Sequence, residues 1–277
     1  MTSAFRPRCD AINRGKTDQS TIIDSRRRFS LRLVPRLVLT AFALGVLTLA
    51  LAPPLIISSF LTSSGMPAFR ITQWWAWGVS RCMGLTFSLR GREKIVPGTS
   101  YIITPNHQGN ADILALLRTL PIPFRWVLKK ELLKIPIFGP ALGRTGAIAI
   151  DRSDPRKAIQ SLEEGKKKLE GGWSVLIYPE GTRGWDEQLQ PFKKGAFMMA
   201  VQTGIPILPV TCNGAFRVLP KKTIFFRPGH VEVVIGDPIE TQVMTTMDVP
   251  KLKEQTLQAI LNNLDPQFDP FAQRSLR

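Results

Sequence analysis

His107 and Asp112 stand five residues apart in Asn106-His107-Gln108-Gly109-Asn110-Ala111-Asp112, and about seventy residues later comes Tyr178-Pro179-Glu180-Gly181-Thr182-Arg183-Gly184. A neutral imidazole can take a proton from a hydroxyl, and a carboxylate can fix the tautomer and orientation of that imidazole. The spacing suits this pairing if the chain turns at Gln108-Gly109 into a helix. The later segment offers a different chemistry. Gly181 lets backbone approach a phosphate closely, Thr182 adds a hydroxyl, and Arg183 carries a fork of N–H donors. The chain has only two histidines. The other, His230, lies in a Pro-Gly-His turn before a predicted strand.

By itself His-x4-Asp is a weak signal that better fits a structural histidine at a strand end; Asn106 before it and the motifs downstream reverse that reading. There is no Gly-x-Ser-x-Gly turn, and Cys9, Cys82 and Cys212 are scattered, without an activating neighbour, a disulfide pattern or zinc spacing. This points to direct attack by a substrate hydroxyl, with neither a covalent enzyme intermediate nor a bound metal or cofactor. Two further basic residues, Lys129 and Arg152, each follow a predicted strand and are candidates to join Arg183 around an anion.

Such groups need elements to hold them. Ser100–Thr104, Arg125–Leu128, Ala147–Ile150, Ser174–Tyr178, Ile207–Cys212 and Val231–Ile235 read as strands. Ala111–Leu120, Pro136–Arg144, Pro155–Glu170, Gly195–Thr203 and Val249–Leu264 read as helices. The alternation predicts an α/β fold with a mixed, largely parallel sheet flanked by helices. His107, Lys129, Arg152 and Glu180–Arg183 all follow C-terminal strand ends, where open α/β sheets place their sites. The Lys166-Lys167-Lys168 run reads as a solvated helix face.

The net charge is +16, which favours anionic partners such as phospholipid headgroups, nucleic acid or acidic soluble molecules. Few aromatic residues interleave the basic runs, which argues against base stacking and hence against nucleic acid. Residues 1–36 are basic, lack hydrophobic periodicity and read as a disordered segment. From Leu37 to Phe69 no residue is charged, a length sufficient to cross a bilayer core of about 30 Å. Pro53-Pro54 interrupts this run, so it reads either as a kinked crossing or as a hairpin dipping into one leaflet. Trp74, Trp75 and Trp77 suit a helix at the headgroup level. The expected organisation is therefore 1–36, a membrane-anchoring segment at 37–84 and a catalytic domain at 85–277.

The ordered set of motifs resembles the glycerolipid acyltransferase family typified by 1-acylglycerol-3-phosphate acyltransferase. Its first block, Asn-His-x4-Asp, matches Asn106, His107 and Asp112. A second block matches Lys129, Glu131, Leu132, Pro136 and Gly139, and continues to Gly146 and Arg152. The third matches Pro179 through Arg183. A Phe-Lys-x-Gly block matches Phe192, Lys193 and Gly195, and a proline-centred block matches Ile207-Leu208-Pro209-Val210. Together they cover roughly residues 75–240. The chain departs from the pattern at Gly109, where the family often has serine, and at Ala111, usually bulkier. Tyr178 stands in place of Phe, and Gly184 in place of Ser.

The resemblance implies transfer of a fatty acyl group from acyl-CoA or acyl-carrier protein to the hydroxyl of a lysophospholipid, foremost 1-acylglycerol-3-phosphate. Another lysolipid or glycerol-3-phosphate would be the alternative acceptor. His107 would be the general base and Asp112 its orienting carboxylate. Arg183, Lys129 and Arg152 would hold the acceptor phosphate, with Glu180, Gly181 and Thr182 shaping the loop. Both donors are cytoplasmic, so the expected location is the inner membrane with the catalytic domain facing the cytoplasm. A lipid hydrolase and a non-enzymatic, membrane-tethered anion binder are the competing classes.

Overall fold

The computed structural model describes residues 34–62, 64–150, 172–184, 189–221, 223 and 225–265. The basic segment 1–33 and the predicted helix Pro155–Glu170 lie outside the described residues, as does Arg152. Arg36 opens the compact unit to which the elements below belong.

In chain order the helices are α1 (Val34–Leu61), α2 (Met66–Met83), α3 (Ala111–Thr119), α4 (Phe138–Arg144), α5 (Gly195–Thr203), α6 (Ala215–Val218) and α7 (Val249–Asn262). The strands are β1 (Leu85–Arg90), β2 (Ile102–Pro105), β3 (Phe124–Lys129), β4 (Ile148–Ile150), β5 (Ser174–Leu176), β6 (Ile207–Asn213) and β7 (Gly229–Ile235). They form one sheet in the order β1-β7-β6-β2-β5-β3-β4. The five strands from β6 to β4 run parallel; β7 pairs antiparallel with β6, and β1 runs parallel to β7. The sheet is thus mixed and largely parallel, flanked by helices. β1 is an addition to the strands expected from sequence, although Leu85, Phe87 and Leu89 alternate with Thr86, Ser88 and Arg90 as a half-buried strand should. α6 is likewise an addition.

Successive residues of a strand face opposite sides of a sheet. Ile103, Leu176 and Leu208 accordingly pack with Leu114, Leu116 and Leu117 of α3 and with Phe69 and Val79 of α2. Ile102, Val175 and Ile207 pack on the other face with Phe197 and Met199 of α5 and Leu252 and Ile260 of α7. All four residues of β2 are buried. Complete burial of a Leu or Ile side chain is worth about 1.5–3 kcal/mol, so the strand that delivers His107 is among the most firmly held.

α1 differs from the expected break. It is a single helix of 28 residues that runs through Pro53 and Pro54. The prolines leave the carbonyls of Leu49 and Ala50 without their helical N–H partners; packing holds the helix together. Leu47 lies against Gly78, and Arg36 against Gly84. Trp75 Nε1 donates to Thr48 Oγ1 at 3.1 Å. Ala52 and Leu55 cluster with Ala68 and Ile71. α1 and α2 are therefore antiparallel along their length. The reversal comes at Thr62–Gly65, pinned where Trp173 Nε1 donates to Ser64 O at 3.1 Å. Gly65 and Gly84 take positive φ at the two ends of α2, a conformation that suits glycine. The outer face of the pair is apolar and exposed, including Phe42, Leu49, Phe60, Trp74 and Trp77.

Candidate active site

β2 ends at Pro105, and the next three residues are fixed by their neighbours. Asn106 is fully buried. Its Nδ2 donates to Cys212 O at 3.2 Å, and its Oδ1 accepts the Cys212 N–H at 2.6 Å, so its amide continues the pairing with β6. The backbone N–H of His107 donates to Glu180 Oε1 at 2.6 Å, and its carbonyl accepts the Gly184 N–H at 3.2 Å. Both main-chain groups of His107 are thus held by the loop that follows β5.

The chain then turns into α3. A Cβ on Gly109 would meet Leu219 O at 2.6 Å and Ala215 O at 2.7 Å, which only glycine avoids. Asn110 N–H donates to Leu219 O at 3.1 Å. Asp112, in the first turn of α3, has no exposed surface and receives three donors. His107 Nδ1 lies 2.8 Å from Asp112 Oδ2, Gly109 N–H donates to the same oxygen at 3.3 Å, and Tyr178 Oη donates to Oδ1 at 3.0 Å. The N-terminal end of a helix favours such an anion. A carboxylate only accepts, so Nδ1 carries the proton of the neutral ring and Nε2 presents its lone pair. The His107 side chain is 13% exposed. A ring nitrogen with access, beside a carboxylate without it, is an arrangement able to do general-base chemistry.

The Tyr178 ring stacks on the imidazole, with centroids 3.7 Å apart and planes 15° from parallel. Trp126 of β3 lies beyond it at 6.2 Å and 22°. Burial and the adjacent Asp112 carboxylate push the Tyr178 phenol up, which keeps it a donor. Burial, with Asp112 second, also pushes up the Cys212 thiol, leaving it an inert thiol rather than a nucleophile.

Glu180 is 1% exposed. Its second oxygen accepts the Gln190 N–H at 2.7 Å, so both oxygens are engaged by backbone. Burial raises Glu180 to about 8 against the pull of those two N–H groups, which favour the anion. The carboxylate braces the loop and His107.

Gly181 has φ +69°, and Lys193 packs where a Cβ would stand. Arg183 Nη1 donates to Asn110 Oδ1. Lys221 Nζ donates to Thr182 Oγ1 at 3.2 Å and to Arg183 O at 2.8 Å.

Among the residues expected from sequence, the structure brings His107, Asp112, Glu180, Gly181, Thr182 and Arg183 together. Lys129 closes β3 on the same edge, but β5 lies between β3 and β2. Two strand spacings put it about 10 Å from β2 across the sheet. It pairs with Glu131 at 3.3 Å, both side chains about half exposed. Tyr178, Asn110 and Lys221 join this cluster, and sequence reasoning did not assign them. Tyr178 did leave a signal, since it is one of two tyrosines and occupies the position held by Phe in the third family block.

Known proteins that resemble this chain share one family name. A family model described as Acyltransferase matches residues 86–213. The 1-acyl-sn-glycerol-3-phosphate acyltransferase of Pseudomonas aeruginosa is 32% identical over 239 residues, covering 85% of this chain and 89% of that protein. The human 1-acyl-sn-glycerol-3-phosphate acyltransferase alpha is 32% identical over 179 residues, 64% of this chain and 63% of that protein. A chloroplastic 1-acyl-sn-glycerol-3-phosphate acyltransferase of Brassica napus is 36% identical over 142 residues, 51% of this chain and 41% of that protein. The chain thus spans less than two thirds of the plant and human relatives. The crystal structure of the 1-acyl-sn-glycerophosphate acyltransferase of Thermotoga maritima superposes with a TM-score of 0.71 at 24% identity. It covers 84% of this chain and 95% of that one, a likeness of fold.

Proposed function

The chain belongs to the acyltransferase family of the 1-acyl-sn-glycerol-3-phosphate acyltransferases, and from that premise we propose that it transfers a fatty acyl group from a thioester to the free hydroxyl of 1-acylglycerol-3-phosphate, giving phosphatidic acid. The observation that carries this reading is the dyad. With Nδ1 committed to Asp112 at 2.8 Å, Nε2 of His107 accepts the hydroxyl proton as the oxygen attacks the thioester carbonyl. The C–S bond breaks as the tetrahedral intermediate collapses. The imidazolium, stabilised by Asp112, returns its proton to the departing thiolate. Glu180 acts by bracing His107 rather than by touching substrate. Arg183 and Lys129 supply cationic charge for the acceptor phosphate, and Arg152 is the third candidate. The donor is acyl-CoA or acyl-carrier protein.

The apolar helices support a membrane-bound enzyme. At about 1.5 Å per residue α1 is roughly 42 Å long, enough to cross a bilayer. Its packing along α2 argues against a perpendicular crossing, because α2 is also packed into the core of the sheet through Phe69, Val79 and Met83. An outer face with Trp74 and Trp77 suits a pair of helices sunk into one leaflet. Gly84 and Leu85 lie at the edge of the sheet where β2 and β5 end, because β1 runs against β2; Arg36 therefore marks an α1 end near the catalytic edge. This reading leaves the domain on the cytoplasmic side of the inner membrane, where the donors are.

Purified full-length protein in lipid nanodiscs, given palmitoyl-CoA or palmitoyl-carrier protein and a panel of lysolipids, tests the reaction. Thioester consumption and mass spectrometry should show phosphatidic acid from lysophosphatidic acid. Free fatty acid without transfer would instead mark a hydrolase. His107→Ala should lower kcat by about 10²–10⁴-fold with an unchanged thermal transition; near-normal transfer by this variant would overturn the mechanism.

A further inference from the structure

We propose that Tyr178 is a positioning residue of the dyad, its hydroxyl sharing the Asp112 carboxylate with His107 while its ring sets the plane of the imidazole. Two independent contacts converge on one catalytic unit. The 3.0 Å hydrogen bond occupies Asp112 Oδ1, while Oδ2 takes His107 Nδ1 and the Gly109 N–H. The stack at 3.7 Å covers one face of the ring, and Trp126 backs Tyr178 from β3. The imidazole is thereby held at its Nδ1 edge and across its face, with Nε2 on the remaining edge. The family block carries Phe at this position, which supplies the stack and no hydroxyl. The tyrosine of this chain adds a donor that withdraws charge from the carboxylate and so tempers its hold on the imidazolium.

The charged and titratable neighbours can be named. Asp112 on α3 faces the ring directly. Glu180 on the loop after β5 meets the His107 backbone. Arg183 reaches Asn110, Lys221 reaches that same loop, and Cys212 of β6 holds Asn106. Of these, only Asp112 changes a hydrogen-bond partner when the hydroxyl is removed. Tyr178→Phe therefore concentrates the Asp112 charge on His107 and favours the imidazolium.

This inference rests on His107 being the base of the proposed acyl transfer, so the test has a kinetic arm and an arm that needs no substrate. In full-length enzyme, Tyr178→Phe should lower kcat by about 3–10-fold, the scale of one ordinary net hydrogen bond. KM for lysophosphatidic acid should stay within about twofold, and the acidic limb of kcat/KM should move to higher pH. Tyr178→Ala, which also removes the stack, should cost about tenfold more. The second arm is the imidazole spectrum of 15N-histidine-labelled protein in micelles. Two histidines make it readable, and His230→Ala assigns the pair. Wild type should show a single Nδ1–H tautomer with a downfield proton; Tyr178→Phe should keep that tautomer with a shifted proton, and Tyr178→Ala should broaden it. Spectra and pH profile of Tyr178→Phe that match wild type would overturn the proposal, as would a rise in KM alone. If the spectra change as stated while His107→Ala still transfers acyl groups, the positioning stands and the assignment of His107 as base falls.

Discussion

Where β2 and β5 end, every group of the dyad is held from more than one side; where β3 ends, two strands from His107, Lys129 is about half exposed and pairs with the equally exposed Glu131. Asp112 and Glu180 are buried, with three donors on the first and two on the second. The contrast matches the two tasks proposed for this edge. Proton transfer demands fixed geometry and depends steeply on it. Attraction of a phosphate to a membrane surface tolerates a long, hydrated side chain and gains from charge alone. One half of the edge should therefore govern kcat and the other KM.

The sharpest test is Asp112→Asn. An amide that keeps its oxygen toward the Tyr178 hydroxyl turns its nitrogen to Nδ1 of His107 and favours the wrong tautomer of the ring. Loss in kcat of about 10³–10⁴-fold is expected, with KM little changed. A loss below tenfold would break the contrast at its strongest point. Glu180→Gln comes next. Gln has one oxygen where two backbone N–H groups need acceptors, so stability should drop by about 1–3 kcal/mol, read as a lower Tm. The pH dependence carries a sign. Burial raises Glu180 from 4.5 to about 8, so its contribution to folding is complete below pH 4.5 and is lost as pH rises through 8. The Tm gap between wild type and Glu180→Gln should be widest near pH 4.5 and narrow toward pH 8. A gap that widens instead would mean the anion is the native form. Arg183→Ala should raise KM for lysophosphatidic acid by about tenfold with kcat within a few-fold. Lys129→Ala should change KM by less than about threefold; a change in kcat there would place the chemistry closer to β3 than the dyad does.

The sequence displays the tight half of this edge better than the loose one, and the reason is local. His107 and Asp112 are joined by one turn of chain, and both follow a strand whose β-branched residues announce it. Their partner Tyr178 is 66 residues from Asp112, and no pattern within either segment pairs them. Only the sheet order, which sets β5 beside β2, does so. Sheet order also separates Lys129 from His107, although both read alike as basic or imidazole groups at strand ends. Pro53-Pro54 shows the converse: local propensity predicts a break, and the packing of Leu47 on Gly78 and of Ala52 and Leu55 near Ala68 overrides it. The class of sheet was legible because strand and helix periods alternate along the chain; β1 was not among the expected strands, although its alternation is visible and it opens the region read as the catalytic domain.

Gly109 carries a consequence for anyone redesigning this edge. By side-chain chemistry alone, a serine at this position looks a mild change. Here the carbonyls of Leu219 and Ala215 stand 2.6 and 2.7 Å from where a Cβ would be, so the segment that brings Lys221 to the loop after β5 has closed over the space. A serine there would force backbone apart beside the dyad. Engineering any side chain into this position therefore needs a second, compensating change in the segment that carries Ala215 and Leu219.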